Sequence, residues 1–145
     1  FCSRKMKINS KLKSIFSSGR AAHIRLGRTG EKYAAEMLKS KGFSIICRNW
    51  KEGKGELDIV ARDGFMLVFV EVKSKRVTPK ATPPRTNLRP KQIKRIRFGA
   101  EKFLWKIFAD KDIPHRFDLI EVWMNKRRPV KIFHHQHCFR AIKPR

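Results

Sequence analysis

The apolar positions of the chain follow two periods, and the switches between them divide it into elements. Ala34, Met37 and Leu38 recur at helical spacing, which predicts a helix capped by Thr29 and running to about Lys41, where Gly42 ends it. Glu31 lies seven residues before Leu38 and so falls on the same inward stripe. Residues 43–50, 56–62 and 66–75 read as strands, the third carrying Leu67, Val68, Phe69, Val70 and Val72 in nearly unbroken apolar sequence. Asp63-Gly64, between the second and third, is a tight-hairpin signal. Pro79, Pro83, Pro84 and Pro90 punctuate a stretch without period, which predicts a mobile loop at about 77–90. Ile93, Ile96, Ala100, Phe103, Leu104 and Ile107 return to helical spacing and predict a second helix over 91–108. Strands at 116–124 and 130–139, around a turn at 125–129, complete the order α-β-β-β-α-β(-β), an α/β domain with a mixed β-sheet flanked by helices.

The hairpin brings chemistry into the pattern. With Asp63 and Gly64 as the two turn residues, Arg62 faces Phe65, Asp58 faces Phe69 and Glu56 faces Glu71. Paired residues, and residues two apart on one strand, share a face of the sheet. Asp58, Glu71 and Lys73 therefore emerge together, with Asp58 and Glu71 diagonal neighbours at about 7–8 Å between α-carbons. Carboxylates crowded in a partly desolvated site repel unless one takes a proton or a cation neutralises them. Magnesium takes oxygen ligands and is usually held by one or two carboxylates plus waters and substrate phosphate. Lys73 then fits as the group that orients or helps deprotonate a water, or that stabilises charge developing on a phosphate. The plainer alternative is a surface strand whose Glu71 and Lys73 pair with cross-strand charges. Glu31 has a plain reading too, as a first-turn acid at the positive end of its helix, worth about 0.3–1 kcal/mol.

Composition narrows the partners. The 145 residues fit one domain, and Lys and Arg number 36 against 12 Asp and Glu, a formal net charge of +24. So basic a chain expects a polyanion, and with no apolar stretch long enough to span a membrane, nucleic acid is the expected one. From Val72 to Ala100 every charged residue is Lys or Arg, so Lys75, Arg76, Lys80, Arg85, Arg89, Lys91 and Lys94 are the expected phosphate contacts. Residues 1–26 form a basic arm, flexible or helical, whose composition also suits a transit peptide, ahead of a domain at 27–145. The three cysteines form no CxxC pair, which favours a reducing cytoplasmic setting. His134, His135, His137 and Cys138 invite a zinc reading, but alternation would put His135 and His137 on one face and His134 and Cys138 on the other. Asp118 reads as structural, paired with Arg116 or a helix lysine. Trp50, Trp105 and Trp123, set among apolar neighbours, read as core or partly buried rather than as base-stacking platforms.

Gly30-Glu31 with Ala34 and Leu38, Gly42-Phe43, Arg48-Asn49-Trp50, Gly55-Glu56-Leu57-Asp58-Ile59-Val60 and Phe69-Val70-Glu71-Val72-Lys73 together resemble the bacterial YraN-like family. That family is itself similar to the Holliday-junction resolvases of the PD-(D/E)xK restriction-endonuclease-like superfamily. The resemblance is strongest over 27–76 and extends more loosely through the second helix to Arg116-Phe117-Asp118. It implies a restriction-endonuclease-like core and a metal-dependent endonuclease that hydrolyses phosphodiester bonds in DNA, branched DNA included. It also implies Mg²⁺ or Mn²⁺ as cofactor and a two-fold homodimer. Carried over, it makes Asp58 and Glu71 metal ligands and Lys73 the catalytic lysine, with Glu31 completing or orienting the site and Glu56 a further ligand or a hydrogen-bond acceptor. The chain departs from the pattern in its proline-rich stretch after Arg76, in Lys75, and in its basic arm. Two other classes stay open at this point: a noncatalytic nucleic-acid-binding module on a nuclease fold, and an RNA- or ribosome-associated protein.

Overall fold

The computed structural model describes residues 10–80, 88–110 and 112–140, with side chains described from residue 20 onward. Helix α1 (Ser10–Ser40) leads into strands β1 (Ser44–Glu52), β2 (Gly55–Asp63) and β3 (Met66–Arg76). Helix α2 (Pro90–Phe103) and a π-helical turn (Leu104–Phe108) follow, then β4 (His115–Asn125) and β5 (Arg128–Phe139). The strands form one sheet in the order β1-β2-β3-β4-β5. Only β3 and β4 pair in parallel among neighbours that are otherwise antiparallel, and α2 lies on the crossover that such a pair requires. This is the mixed α/β architecture that the periodicities predict. The loop expected at 77–90 is described only at its ends, and residues 81–87, Arg85 among them, lie outside the described residues.

Each helix covers one face. Ala34, Ala35 and Leu38 of α1 pack on Ile59, Val68, Val70, Ile120 and Val122. On the other side Ile96, Ala100 and Phe103 of α2 pack on Val60, Phe69, Phe117 and Leu119. The near-continuous apolar run of β3 thus splits by alternation between two cores, as a strand buried on both sides must. Helix α1 ends as expected. Gly42 takes φ +89°, its N–H reaches Lys39 O at 3.0 Å, and Phe43 N–H reaches Leu38 O at 3.0 Å, which is a Schellman closure with glycine in the left-handed position.

Its start is corrected. Thr29 is not a cap but lies inside a helix of 31 residues. The stretch before it, including Ala21, Ala22 and Leu26, has no proline, and a helix that is already nucleated extends through such residues at little cost. The second helix is corrected at its other end. The α-form stops at Phe103, and the π turn after it rotates the following side chains off the apolar stripe. Ile107 and Trp105, both expected to be sheltered, are 53% and 52% exposed, whereas Trp50 and Trp123 are partly buried as expected.

The β2–β3 hairpin also differs from expectation, by two residues. Asp63 pairs with Met66, so Gly64 and Phe65 form the turn, and Ile59 pairs with Val70. Gly64 has φ +59° and stands first of the two turn residues, the position glycine takes in a type II′ turn. Asp63 is drawn into the ladder because Arg116 Nη1 on β4 donates to its Oδ2 at 3.0 Å. A slip of two preserves which face every side chain occupies, so the grouping of Asp58, Glu71 and Lys73 survives the change of register.

Helix α2 sits unusually close to β2. A methyl group on Gly55 would fall 2.6 Å from the Gly99 α-carbon, which is backbone and cannot swing aside. Gly55→Ala must therefore push the helix off the sheet and is expected to lower stability by about 1–3 kcal/mol. Gly27→Ala, where a methyl meets nothing within 4 Å, should instead raise stability by about 0.5–1 kcal/mol through helix propensity. Chemical denaturation of both variants checks this, and a Gly55→Ala protein as stable as wild type would contradict the close approach.

Candidate functional site

The β2–β3 ladder ends at Ile59↔Val70, and beyond it the strands fork. Leu57 and Ile59, two residues apart, no longer share a core: Ile59 packs beneath α1 and Leu57 beneath α2. The break falls on Asp58. Its Oδ2 accepts the Val72 N–H at 2.8 Å, in place of the backbone carbonyl that a continuous ladder would offer. Across the fork stands Glu71, only 6% exposed. Its Oε1 accepts from Arg95 Nη2 of α2 at 2.9 Å, and its Oε2 is buried and meets no donor.

Arg95 also donates from Nη1 to Glu56 Oε2 at 3.0 Å, and Lys51 lies 3.4 Å from Glu56 Oε1. Glu56 is therefore held by cations on both oxygens. Glu31 comes from the α1 side. The Asn49 side chain bonds to it, yet its Oε2 is buried without a partner. Asn49 lies between the pairs Arg48↔Ile59 and Trp50↔Leu57, level with Asp58, at φ +52°. Asparagine tolerates that left-handed conformation better than most residues.

The electrostatics follow from crowding. Burial first, and the Asp58 charge second, push Glu71 up to about 8 against the pull of Arg95. Asp58 is raised by burial, and the Val72 N–H and Arg95 only partly offset this. Glu31 is raised by burial and then by Asp58. Lys73, two residues past Glu71 on the same face, also pulls Glu71 downward, and it forms no ion pair among the described residues. No three of His, Cys, Asp or Glu stand together as a metal cage among the described residues. The fork offers a facing pair of carboxylates, one with an unpartnered buried oxygen. That set suits a hard divalent cation that keeps most of its waters.

The expected phosphate contacts separate. Arg89, Lys91 and Lys94 line one groove on the α2 side with Lys54 and Arg95, so this groove shares Arg95 with the fork. Arg76 lines a different groove, beside α1. Lys75 pairs with the wholly buried Glu121 at 2.9 Å, so its charge is spent inside the fold. Lys80 is exposed.

The zinc reading of β5 fails. His137 sits at φ +52° in a bulge, which breaks the alternation that would have placed His134 and Cys138 on one face. His134 packs on Phe43 toward α1, and Cys138 packs into the α2 core. Asp118 is structural: Arg116 Nε lies at 3.0 Å, His134 Nε2 at 2.8 Å and the His137 N–H at 3.1 Å. Burial alone would raise this carboxyl, but those bonds hold it below the ordinary range.

Comparison with known proteins matches residues 30–122 to the model of the uncharacterised protein family UPF0102. The chain belongs to this family. Similar UPF0102 proteins occur in Phocaeicola vulgatus (38% identical over 82% of this chain and 95% of the relative) and in Treponema pallidum (40%, over 81% and 94%). Another comes from Caldicellulosiruptor saccharolyticus (39%, over 72% and 87%). The matched span of the family model holds Glu31, Asn49, Glu56, Asp58, Glu71, Lys73 and Arg95, so the whole fork lies within it.

Two residues of the fork are absent from the expectations. Arg95 lies one turn before Gly99, on the stripe that faces β2, and an arginine on a helix's inward face implies a carboxylate partner. Asn49 carries no comparable signal, because the run Ile45-Ile46-Cys47-Arg48-Asn49 does not alternate and the strand is already irregular between Ile45 and Cys47.

Glu71 carries a pH consequence for the metal-free protein. It titrates near its ordinary 4.5 when unfolded and near about 8 when folded. Between those values the folded chain still holds a proton that the unfolded chain has lost, so this contribution to stability is full below 4.5 and declines as pH rises through 8. Glu71→Gln should melt like wild type at pH 4.5 and several degrees higher at pH 8. Melting curves that run parallel across the range would contradict the crowded, buried carboxyl.

Proposed function

We propose that the chain is a divalent-metal-dependent nuclease that hydrolyses phosphodiester bonds in nucleic acid, with DNA the favoured substrate. One observation carries the reading: two facing carboxylates, Asp58 and Glu71, sit at a strand fork close enough to share a proton, with a buried Glu71 oxygen that no cation or backbone N–H reaches, next to Lys73 and a basic groove. Their crowding is unfavourable until a cation or a proton relieves it, and a hard cation suits an all-oxygen donor pair. Mg²⁺ or Mn²⁺, when bound, would polarise the phosphate and lower the pKa of a water. Asp58 and Glu71 would hold it, with Glu31 close enough to feel the Asp58 charge and to orient the pair.

The chain's own groups do the rest. Lys54, Arg89, Lys91 and Lys94 line the groove that would bind the phosphate backbone. Lys73 would present an unpaired ammonium to the attacked phosphate, either steadying the water that adds to phosphorus or stabilising the charge that builds as the bond to the leaving oxygen breaks. Cys47 and Cys138 are free thiols. Among the described residues no helix is long and apolar enough to cross a membrane.

One observation favours a second reading, a noncatalytic nucleic-acid-binding module: Arg95 already neutralises part of Glu71. Lys73 separates the two. On the nuclease reading Lys73→Ala should cut magnesium-dependent cleavage by about 10²-fold or more with affinity changed only a few-fold, because its contact strengthens in the transition state. Lys54→Ala should do the reverse. The substrates are linear duplex, single-stranded and four-way-junction DNA beside RNA. Tight binding with no cleavage of any of them would hand the site to the binding module. Calorimetric titration supplies an independent check, with Asp58→Asn and Glu71→Gln each expected to weaken magnesium or manganese binding at least tenfold.

A further inference from the structure

The second basic groove lies on the opposite side of the sheet from α2. Arg25 and Arg28 reach it from α1, Arg76 from the end of β3, and Lys126 and Arg127 from the β4–β5 turn. All five are exposed, and none pairs with a carboxylate among the described residues. Elsewhere in the fold basic side chains do find partners: Lys51, Lys75, Arg95, Lys106 and Arg116 are all in ion pairs. Converging like charges repel, and three separate elements converge here without one compensating acid. The β4–β5 connection is a two-residue turn, with Lys126 at the φ +55° that its first position requires, so Lys126 and Arg127 project side by side from the tip of the hairpin at the rim of the groove.

We propose that this groove is a second binding site for nucleic-acid backbone phosphate, separate from the groove beside α2. The idea rests on the nucleic-acid part of the function proposed above, but not on catalysis. Arg76 stands five residues beyond Glu71 on β3, about 17 Å at 3.3 Å per residue, and the odd spacing puts it on the other face, so a chain of phosphates leaving the fork would reach this groove by passing round the end of β3. Nucleic acid is favoured over an anionic membrane because the groove is concave and joined to the fork by one strand. It holds phosphates outside the site of chemistry and reads no base.

The test is the salt dependence of duplex-DNA binding by the full chain without metal, so that cleavage plays no part. Each phosphate contact contributes about 0.9 to the slope of log affinity against log salt. Lys126→Ala/Arg127→Ala should make the slope shallower by about 1.8. The pair Lys32→Ala/Lys39→Ala removes the same charge from exposed positions of α1 outside the groove and should leave the slope unchanged. Lys91→Ala/Lys94→Ala should lower it independently, and the quadruple variant should show the sum. Equal losses in the Lys126/Arg127 and Lys32/Lys39 pairs would reduce the effect to net charge and overturn the proposal. So would an unchanged slope accompanied by lost binding to anionic phospholipid vesicles, which would assign the groove to a membrane surface. The nuclease reading fails separately, by absent cleavage with these slopes intact, while a wild-type protein that binds no nucleic acid would remove both.

Discussion

Inside a sheet every backbone amide needs an acceptor, and the N–H of Val72 has lost the one that a continuous β2 would give it. The Asp58 carboxylate supplies the replacement at 2.8 Å. That bond lets β2 leave β3 without stranding a buried donor, and it ties one oxygen of Asp58 to the strand that carries Glu71 and Lys73. The fork, the approach of α2 over Gly55, and the arrival of Arg95 above Glu56 and Glu71 all depend on the strands parting at that residue.

The fold contains a second buried aspartate for comparison. Asp118, 1% exposed, receives donors from Arg116, His134 and the His137 amide. It is content as an anion. Glu71 is buried almost as deeply but has Arg95 on one oxygen and, across the fork, a second carboxylate to which it can bond only while one of the two holds a proton. Burial is nearly the same in the two places, so the difference lies in the donors supplied. A carboxylate surrounded by donors serves the fold, and one left short of them beside another carboxylate is available to a cation.

Much of this was legible in the sequence because alternation and parity are robust to small errors. The Asp63-Gly64 signal sets the turn one residue early, yet it assigns Asp58, Glu71 and Lys73 to the face they occupy, since the register slip is even. Gly42 announced the end of α1 through a conformation only glycine adopts freely. What could not be read were features set by tertiary contact. The pull of Arg116 on Asp63 moved the register, and the π turn after Phe103 exposed Trp105. The left-handed His137 undid the alternation of β5, and no local pattern in its neighbourhood marks it. For Arg95 the stripe position implies a carboxylate partner but not which one, because Glu56 and Glu71 lie on strands far away in sequence.

The turn at Gly64-Phe65 has a consequence for how this protein can change over generations. The turn is remote from the fork, and Phe65 is almost wholly exposed, so nothing packs against it to resist insertion. Two added residues would extend the ladder or loop and leave every side chain on its present face. One added residue, unless absorbed as a bulge, would send Glu71 and Lys73 to the α1 core and Val70 and Val72 toward the fork. Drift in the length of this hairpin is therefore free in even steps and barred in odd ones, although the barrier arises far from the residues it protects.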